Sequence, residues 1–491
     1  MLLIWLIAIL MLGGVLAWIS ARFNKSIPRL VSLAALLIDF VLLLSVWLRN
    51  VNDQSQNSWL IDVNLNWIPR FGINFHLAMD GLSLMMLMLT FFLGILSVLI
   101  SWSEVKERIG FYYFNLMWIL AGIAGVFVAL DLFLFIFFWE MMLIPMYFLI
   151  GIWGSENRRY AAYKFFLFTQ ASGLLMFLAI LGLYFVNGNQ TGNYSFDYFN
   201  LLGTELSPGM SRWLMLGFLI AFAVKLPVVP FHSWLPDAHS EAPTAGSVIL
   251  AGLLLKTGAY GLLRFIIPLF PDAASEFAPV AMLLGVIGIL YGAMLAFAQT
   301  DLKRLVAYTS VSHMGFVMLG VFAFNEIAYQ GVVMQMITHG ISTGALFILA
   351  GIIKERIHTR DIAQMGGFSE NAPVMGAAAL VFVMASLGLP GLGNFIAEFL
   401  TLMGSWQANK WMTALAALGL VGATVYSLRI MQRIFFGPRE LKHSFSDLNM
   451  REILIMGSLT IAIVWLGLYP QPIIETIKPF VDGLEKMIMI N

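Results

Sequence analysis

At 491 residues, 60% hydrophobic and 11% charged, with a mean hydropathy of +0.87, the chain lies far from soluble domains, which run about 45–50% apolar and about 25% charged. It has 27 basic and 27 acidic residues and no cysteine. That removes any pull towards nucleic acid and excludes disulfides, thiolate-bound zinc and iron–sulfur clusters held by this chain. Too few polar residues remain to cover a soluble core of this size, so the bilayer must act as the solvent.

The first apolar run, Met1 to Trp18, meets its nearest charges, Arg22 and Lys25, only after it ends. A signal peptide carries its positive charge before the run, so this reads as a retained helix. Apolar stretches long enough to cross a bilayer follow in chain order. The segments lie near 2–19, 30–48, 78–101, 112–130, 132–151, 162–186, 213–231, 243–268, 277–299, 305–323, 330–353, 373–403, 411–434 and 453–472. The expected fold class is an all-α polytopic membrane protein of about fourteen transmembrane helices. Only the neighbourhood of Asp131 separates segments four and five. The longest polar stretch, roughly 187–212, has ordinary loop composition, and neither a low-complexity segment nor a soluble domain is visible.

Basic residues set the orientation. The odd-numbered connections hold Arg22, Lys25, Arg29, Lys106, Arg108, Arg158, Arg159, Lys164, Lys303, Arg304, Lys354, Arg356, Arg360, Arg429, Arg433, Arg439, Lys442 and Arg451. The even ones hold only Arg49, Arg70, Arg212, Arg264, Lys410, Lys478 and Lys486. The odd connections are therefore expected to be cytoplasmic and both termini to face outwards.

Segment seven contains Lys225-Leu-Pro-Val-Val-Pro-Phe-His232, and segment twelve contains Ser386-Leu-Gly-Leu-Pro-Gly-Leu-Gly-Asn-Phe395. Each has a Leu-Pro step followed by small or helix-breaking residues, and the two lie five segments apart. An odd repeat length inverts the second copy, which is the plan of many transporters. Proline removes a backbone donor, and the bilayer tolerates this only where protein or water satisfies the freed groups. Paired breaks thus point to a buried polar path.

Ionisable residues fall inside these apolar segments, each costing at least about 2.5 kcal/mol on insertion scales. Glu140 stands alone between Asp131 and Glu156. Lys225 precedes the prolines of segment seven, Lys256 lies within segment eight, and Glu398 follows the break at Pro390. His313 and His339 occupy segments ten and eleven. A single buried charge is as readily a structural lock between helices as a functional group. Acids and bases spread over four segments, two of them broken, favour a proton relay. Separation and re-formation of a Glu140–Lys225 pair would let the lysine release and reload its proton. Lys256 and the histidines, which titrate near neutrality, would pass it inwards, and Glu398 would serve the outer side.

His232-Ser-Trp-Leu-Pro-Asp-Ala-His239 lacks the His-Glu-x-x-His pattern of a zinc site, so it reads as a polar turn at the cytoplasmic entrance, with His232 at the inner end of the path. Asp301, Lys303 and Arg304 read as solvated loop charges. No phosphate loop, dinucleotide fingerprint or nucleophile motif is visible.

The run from Lys225 to Val248 is similar to the signature of the antiporter-like membrane subunits of respiratory complex I. Lys256-Thr-Gly-Ala-Tyr-Gly, Gln299-Thr-Asp-Leu-Lys-Arg and Ala307-Tyr-Thr-Ser-Val-Ser-His313-Met-Gly fit the same family. The resemblance covers nearly the whole chain. It looks most like the M-type branch in bacterial proton-pumping NADH–quinone oxidoreductases. Glu398 stands where L- and N-type relatives typically carry lysine, no long lateral helix follows segment fourteen, and Phe138-Trp-Glu140-Met-Met-Leu-Ile-Pro-Met-Tyr resembles the M-type segment five.

The resemblance implies two inverted five-helix repeats with segments seven and twelve discontinuous. Expected divisions are 1–111 for the first three helices, 112–268 and 269–436 for the repeats, and 437–491 for the last helix and tail. It implies that Glu140 and Lys225 form a coupling pair, that Lys256 is the central relay and that Glu398 is the outer site. It further implies a multi-pass protein of the bacterial inner membrane, next to L-type and N-type subunits. No cofactor is expected on this chain; FMN, iron–sulfur clusters and quinone would reside on partner subunits. Subunits of sodium–proton antiporters and membrane-bound hydrogenases are the alternative, and a purely structural membrane spacer is a third reading.

Overall fold

The computed structural model describes residues 1–50, 59–438 and 446–489. Arg439 and Lys442, counted above among the basic connections, lie outside the described residues. The chain opens with α1 (Leu2–Ser20) and α2 (Ile27–Asn50), followed by a hairpin of β1 (Trp59–Ile68) and β2 (Ile73–Asp80). The strands pair antiparallel, from Trp59 opposite Asp80 to Ile68 opposite Ile73. Residues 78–80, assigned above to the third apolar segment, belong to this hairpin. Asp80 then caps α3 (Gly81–Glu104) by accepting the Ser83 N–H at 2.9 Å.

After α4 (Ile109–Val128) the chain does break near Asp131, because Asp131 holds a turn. Its Oδ1 accepts the Phe133 and Leu134 N–H groups at the start of α5 (Leu132–Met141), and its Oδ2 accepts Asn74 N–H of β2. This is an N-cap that also ties the hairpin to a helix end. Beyond it run α6 (Leu143–Trp153), α7 (Arg158–Thr191), a short α8 (Tyr198–Leu201) and α9 (Pro208–Lys225). Pro145, early in α6, cannot donate to the carbonyl one turn back, which loosens the helix immediately after Glu140.

Segment seven breaks as its prolines require. α9 ends at Lys225, and the chain resumes helically only at α10 (Trp234–Glu241). Segment eight consists of α11 (Thr244–Ile249), α12 (Leu255–Gly261) and α13 (Ile267–Leu269), joined by π-helical turns at Leu250–Leu254 and Leu262–Ile266. Then come α14 (Pro271–Ala298), α15 (Leu302–Val321), α16 (Glu326–Ile357) and a short α17 (Phe368–Asn371). Segment twelve is split between α18 (Pro373–Ser386) and α19 (Gly393–Ala408). The chain closes with α20 (Lys410–Ile430), α21 (Met450–Leu468) and α22 (Gln471–Met489).

Among the described residues, eleven helices are long and apolar enough to cross a membrane unaided. α9, α15 and the α18–α19 pair are not among them. α9 ends on the Lys225 ammonium, α15 begins with Lys303 and Arg304, and the third is divided. Helices α11–α13 and α16 are buried by their neighbours along their whole apolar windows, whereas α1, α2 and α21 leave most of theirs to the exterior.

The hairpin carries an acid-flanked histidine outside the spans. His76 Nδ1 meets Asp197, Nε2 lies 3.1 Å from Asp62, and the His76 carbonyl accepts Leu130 N–H. Burial by itself would lower the imidazole, but the hydrogen bonds and charges of Asp197 and Asp62 outweigh it, holding His76 above its ordinary value. A raised folded-state value means the stabilisation is fully present below the ordinary histidine value of about 6.5 and fades as pH rises through the folded one. Amide hydrogen exchange of residues 59–80, corrected for intrinsic rates, should show stronger protection at mildly acidic pH than at alkaline pH. His76→Gln should flatten that profile; a pH-dependent profile surviving in the variant would show that another group is responsible.

Candidate functional site

Four of the expected site residues meet in one buried row. Lys256 sits on α12 just after a π-helical turn. Such a turn disturbs the regular backbone ladder, and the Lys256 Nζ donates at 2.6 Å to the Ala251 carbonyl within it. The same Nζ lies 2.6 Å from His339 Nδ1 on α16. The His339 and His313 rings face each other at 5.5 Å between centroids. His313, on α15, places Nδ1 3.0 Å from Glu398 Oε1 on α19, and its Nε2 lies 3.2 Å from the Tyr426 hydroxyl and 3.3 Å from the Ser386 hydroxyl. All four residues are at most 3% exposed. Neutral imidazole donates through one nitrogen and accepts through the other. A tautomer with Nδ1–H towards Glu398 therefore leaves Nε2 to accept from Tyr426.

The break in segment twelve shapes the Glu398 end of this row. Gly388 takes φ +78°, a conformation open to glycine at little cost, and turns the chain out of α18 beside Glu398 Oε2. A side chain at Gly388 would place its Cβ 2.8 Å from that oxygen. Glu398 Oε2 has no hydrogen-bond partner among the described residues. One carboxylate oxygen is thus tied to His313 while the other retains its bonding capacity.

Glu140 and Lys225 are neighbours without an ion pair. Lys225 Nζ has no hydrogen-bond partner among the described residues and lies over the Trp139 ring at 5.2 Å and the Phe165 ring at 5.6 Å. Ring faces attract a cation weakly compared with a carboxylate. The Glu140 carboxylate packs instead on Gly173 of α7, within hydrogen-bonding reach of Gln170. Lys225 reaches the row through packing: a Cβ at Gly258 of α12 would fall 2.7 Å from the Phe222 carbonyl and 3.2 Å from the Lys225 Cβ. Glycine there lets the end of α9 close on the helix that carries Lys256.

His232 stands apart from the row. It lies in the break after α9, its ring edge-on to Tyr291 at 5.7 Å and 6.3 Å from Tyr308. Close to it in the chain lies an ion-pair cluster in which Asp237 takes Lys164 at 2.7 Å and Arg304 at 2.9 Å.

Two buried residues escaped the sequence reading. Lys303 is no solvated loop charge. It is 1% exposed, and its Nζ donates to the Ala242 carbonyl at 2.8 Å and lies 3.3 Å from the Ser247 hydroxyl. Asp301 caps α15, so Lys303 falls in the first helical turn, on the same face as Ser310 and His313 seven and ten residues on. That spacing was the available signal. His239, at the end of the Lys225–His239 run, stacks on Phe347 at 4.5 Å with neither ring nitrogen partnered among the described residues. Asp301 and Arg304 do engage partners, Arg360 at 3.0 Å and Asp237 respectively.

The model of the NADH:quinone oxidoreductase/Mrp antiporter membrane family matches residues 129–424. The chain is 54% identical to NADH-quinone oxidoreductase subunit M of Pseudomonas aeruginosa, over 99% of this chain and 98% of that one. A chain of respiratory complex I from Thermus thermophilus with bound NADH superposes with a TM-score of 0.89 at 30% identity, covering 99% of this chain and 100% of that one. A chain of the Mrp complex from Dietzia sp. superposes at 0.86 with 20% identity, over 99% and 97%, which is a likeness of fold alone.

Proposed function

The chain belongs to the subunit M family of NADH–quinone oxidoreductases, and from that premise we propose that it carries protons across the membrane along its buried row, driven by electron transfer in other subunits. The observation supporting this is the close succession of buried titratable side chains, Lys256 hydrogen-bonded to His339 and His313 to Glu398, with the two imidazole rings 5.5 Å apart between centroids. Lys256 can exchange a proton with His339, and His313 with Glu398, across hydrogen bonds already formed, and the step between the two imidazoles requires a ring to turn. Glu140 and Lys225 act as the gate: approach of the carboxylate favours the charged lysine, and its withdrawal frees a proton for Lys256. Lys303 and His239 extend the row towards the entrance at Asp237 and His232.

On this reading the two halves, 112–268 and 269–436, are inverted repeats of five helices, and both termini face the outside of the bacterial inner membrane. L-type and N-type subunits are its membrane neighbours. FMN, iron–sulfur clusters and quinone are held elsewhere in the complex. The high identity to subunit M supports an oxidoreductase role over that of a free-standing sodium–proton antiporter.

Lys256→Met, placed in the native operon, tests the row at its centre. NADH-driven acidification of inverted vesicles is expected to fall at least ~10-fold, since a positioned proton-transfer group contributes far more than that, while the complex still assembles. Pumping at the wild-type rate in an assembled Lys256→Met complex would overturn the proposal.

A further inference from the structure

Asp39 lies at the middle of α2, outside the row just described. It is fully buried, and neither carboxylate oxygen has a hydrogen-bond partner among the described residues. The helices packed on it bring no cation to its depth. α1 and α4 contain no charged residue, and α3 contains only Glu104, at its far end. Arg29 and Arg49 lie on α2 itself, each ten residues away along the sequence, or about 15 Å along the helix. α21 keeps Arg451 and Glu452 in its first turn, and α22 meets the Arg49 end of α2, where Trp47 Nε1 donates to the Thr476 hydroxyl at 2.8 Å. His339, on α16, is engaged with Lys256. An ionised Asp39 would be an uncompensated charge in an apolar seam, whereas the neutral acid avoids that cost.

On the Arg29 side of Asp39 the seam between α2 and α3 carries buried hydroxyls, with Leu36 between them and the carboxyl. α2 and α3 run antiparallel, with Arg29 donating to the Val105 carbonyl at 3.3 Å and the Leu36 methyl groups 3.0 Å from where a Cβ on Gly94 would sit. One turn from that contact towards Arg29 stand Ser32 on α2 and Ser97 on α3. Both hydroxyls are buried and have no hydrogen-bond partner among the described residues. Beyond them, Ser101 meets the Tyr113 hydroxyl at 3.1 Å near Arg29. Past Asp39 in the other direction the same face of α2 offers the apolar Leu43.

We propose that Asp39 is a second proton-binding site: it holds a proton in the resting protein and exchanges it along the Ser32–Ser97 seam with the Arg29 side of the membrane, independently of the Lys256–Glu398 row. The reaction is a proton transfer between a carboxylic acid and the medium, with no bond to carbon made or broken. This inference does not depend on how the row itself functions.

Infrared spectra of the purified complex in membranes provide the test. One carbonyl band of a protonated carboxylic acid is expected to vanish in Asp39→Asn. In the unsubstituted protein the same band is expected to shift on transfer to D2O. The double variant Ser32→Ala/Ser97→Ala should retain the band and slow its shift several-fold. If Asp39→Asn does not assemble, Asp39→Glu serves in its place and should displace the band. Spectra unchanged by either Asp39 substitution would overturn the proposal, because Asp39 would then be ionised. A band that never shifts in D2O would overturn it as well, since the acid would be sealed. So would a band abolished by added sodium at constant pH, which would make the site one for a metal cation.

Discussion

Glu140→Gln is expected to leave the complex assembled and to reduce NADH-driven acidification of inverted vesicles at least ~10-fold, with the coupled oxidation of NADH falling alongside it. Glutamine keeps the shape of the side chain, its packing on Gly173 and its reach to Gln170. What it removes is the negative charge beside Lys225. That lysine lies between two ring faces with no acceptor among the described residues, so its charge state depends on where the Glu140 carboxylate stands. Glu140 is followed at once by the junction of α5 and α6, where Pro145 leaves the carbonyl one turn back without a helical donor. An effect confined to assembly would make Glu140 a structural lock. Wild-type pumping with wild-type oxidation would remove the gate from the mechanism altogether.

Asp80→Ala is expected to be the most damaging change outside the row. Asp80 Oδ2 and Arg264 Nη2 are 2.5 Å apart, and both residues are at most 4% exposed. Arg264 also donates to the Tyr260 hydroxyl at 3.2 Å and lies over Phe480 at 4.6 Å and Trp59 at 4.9 Å. This guanidinium therefore joins the hairpin, the helix bearing Lys256 and the amphipathic α22. Removing one partner of a buried pair leaves the other charge uncompensated, at a cost of about 3–5 kcal/mol, and the lost α3 cap adds about 1 kcal/mol. The expected readout is a large drop in the thermal midpoint of the complex, or failure of the subunit to accumulate. The double variant Asp80→Asn/Arg264→Gln removes both charges and should recover much of that loss. If it proves as unstable as Asp80→Ala, the cost lies in packing rather than in charge.

The membrane character and the places where helices break were legible in the sequence, because both follow from local chemistry. A bilayer admits only runs of apolar residues with internally paired backbones, and proline followed by further prolines or glycines interrupts such a run, as at Pro227 and Pro390. Isolated charges such as Glu140, Lys256 and Glu398 are conspicuous against apolar neighbours for the same reason. Charges near a predicted helix end are not. Lys303 reads as a loop charge when its position beside Asp301 and Arg304 is weighed ahead of its helical spacing to Ser310 and His313. The hairpin at 59–80 was missed because its polar strand residues match neither an apolar span nor a core strand.

The sequence by itself thus determined the bilayer as solvent, most of the apolar segments and several of the ionisable residues buried within them. Only the tertiary structure decided which of them meet. Lys256 and His339 are 83 residues apart in the chain, and His313 and Glu398 are 85. Their contacts depend on the rotation and depth at which separate helices pack, which are set by long-range fits such as Gly258 against the end of α9. It also separated Glu140 from Lys225 in this conformation. Residue type shows that two opposite charges can pair, whereas the competing acceptors and ring faces around each one decide whether they do.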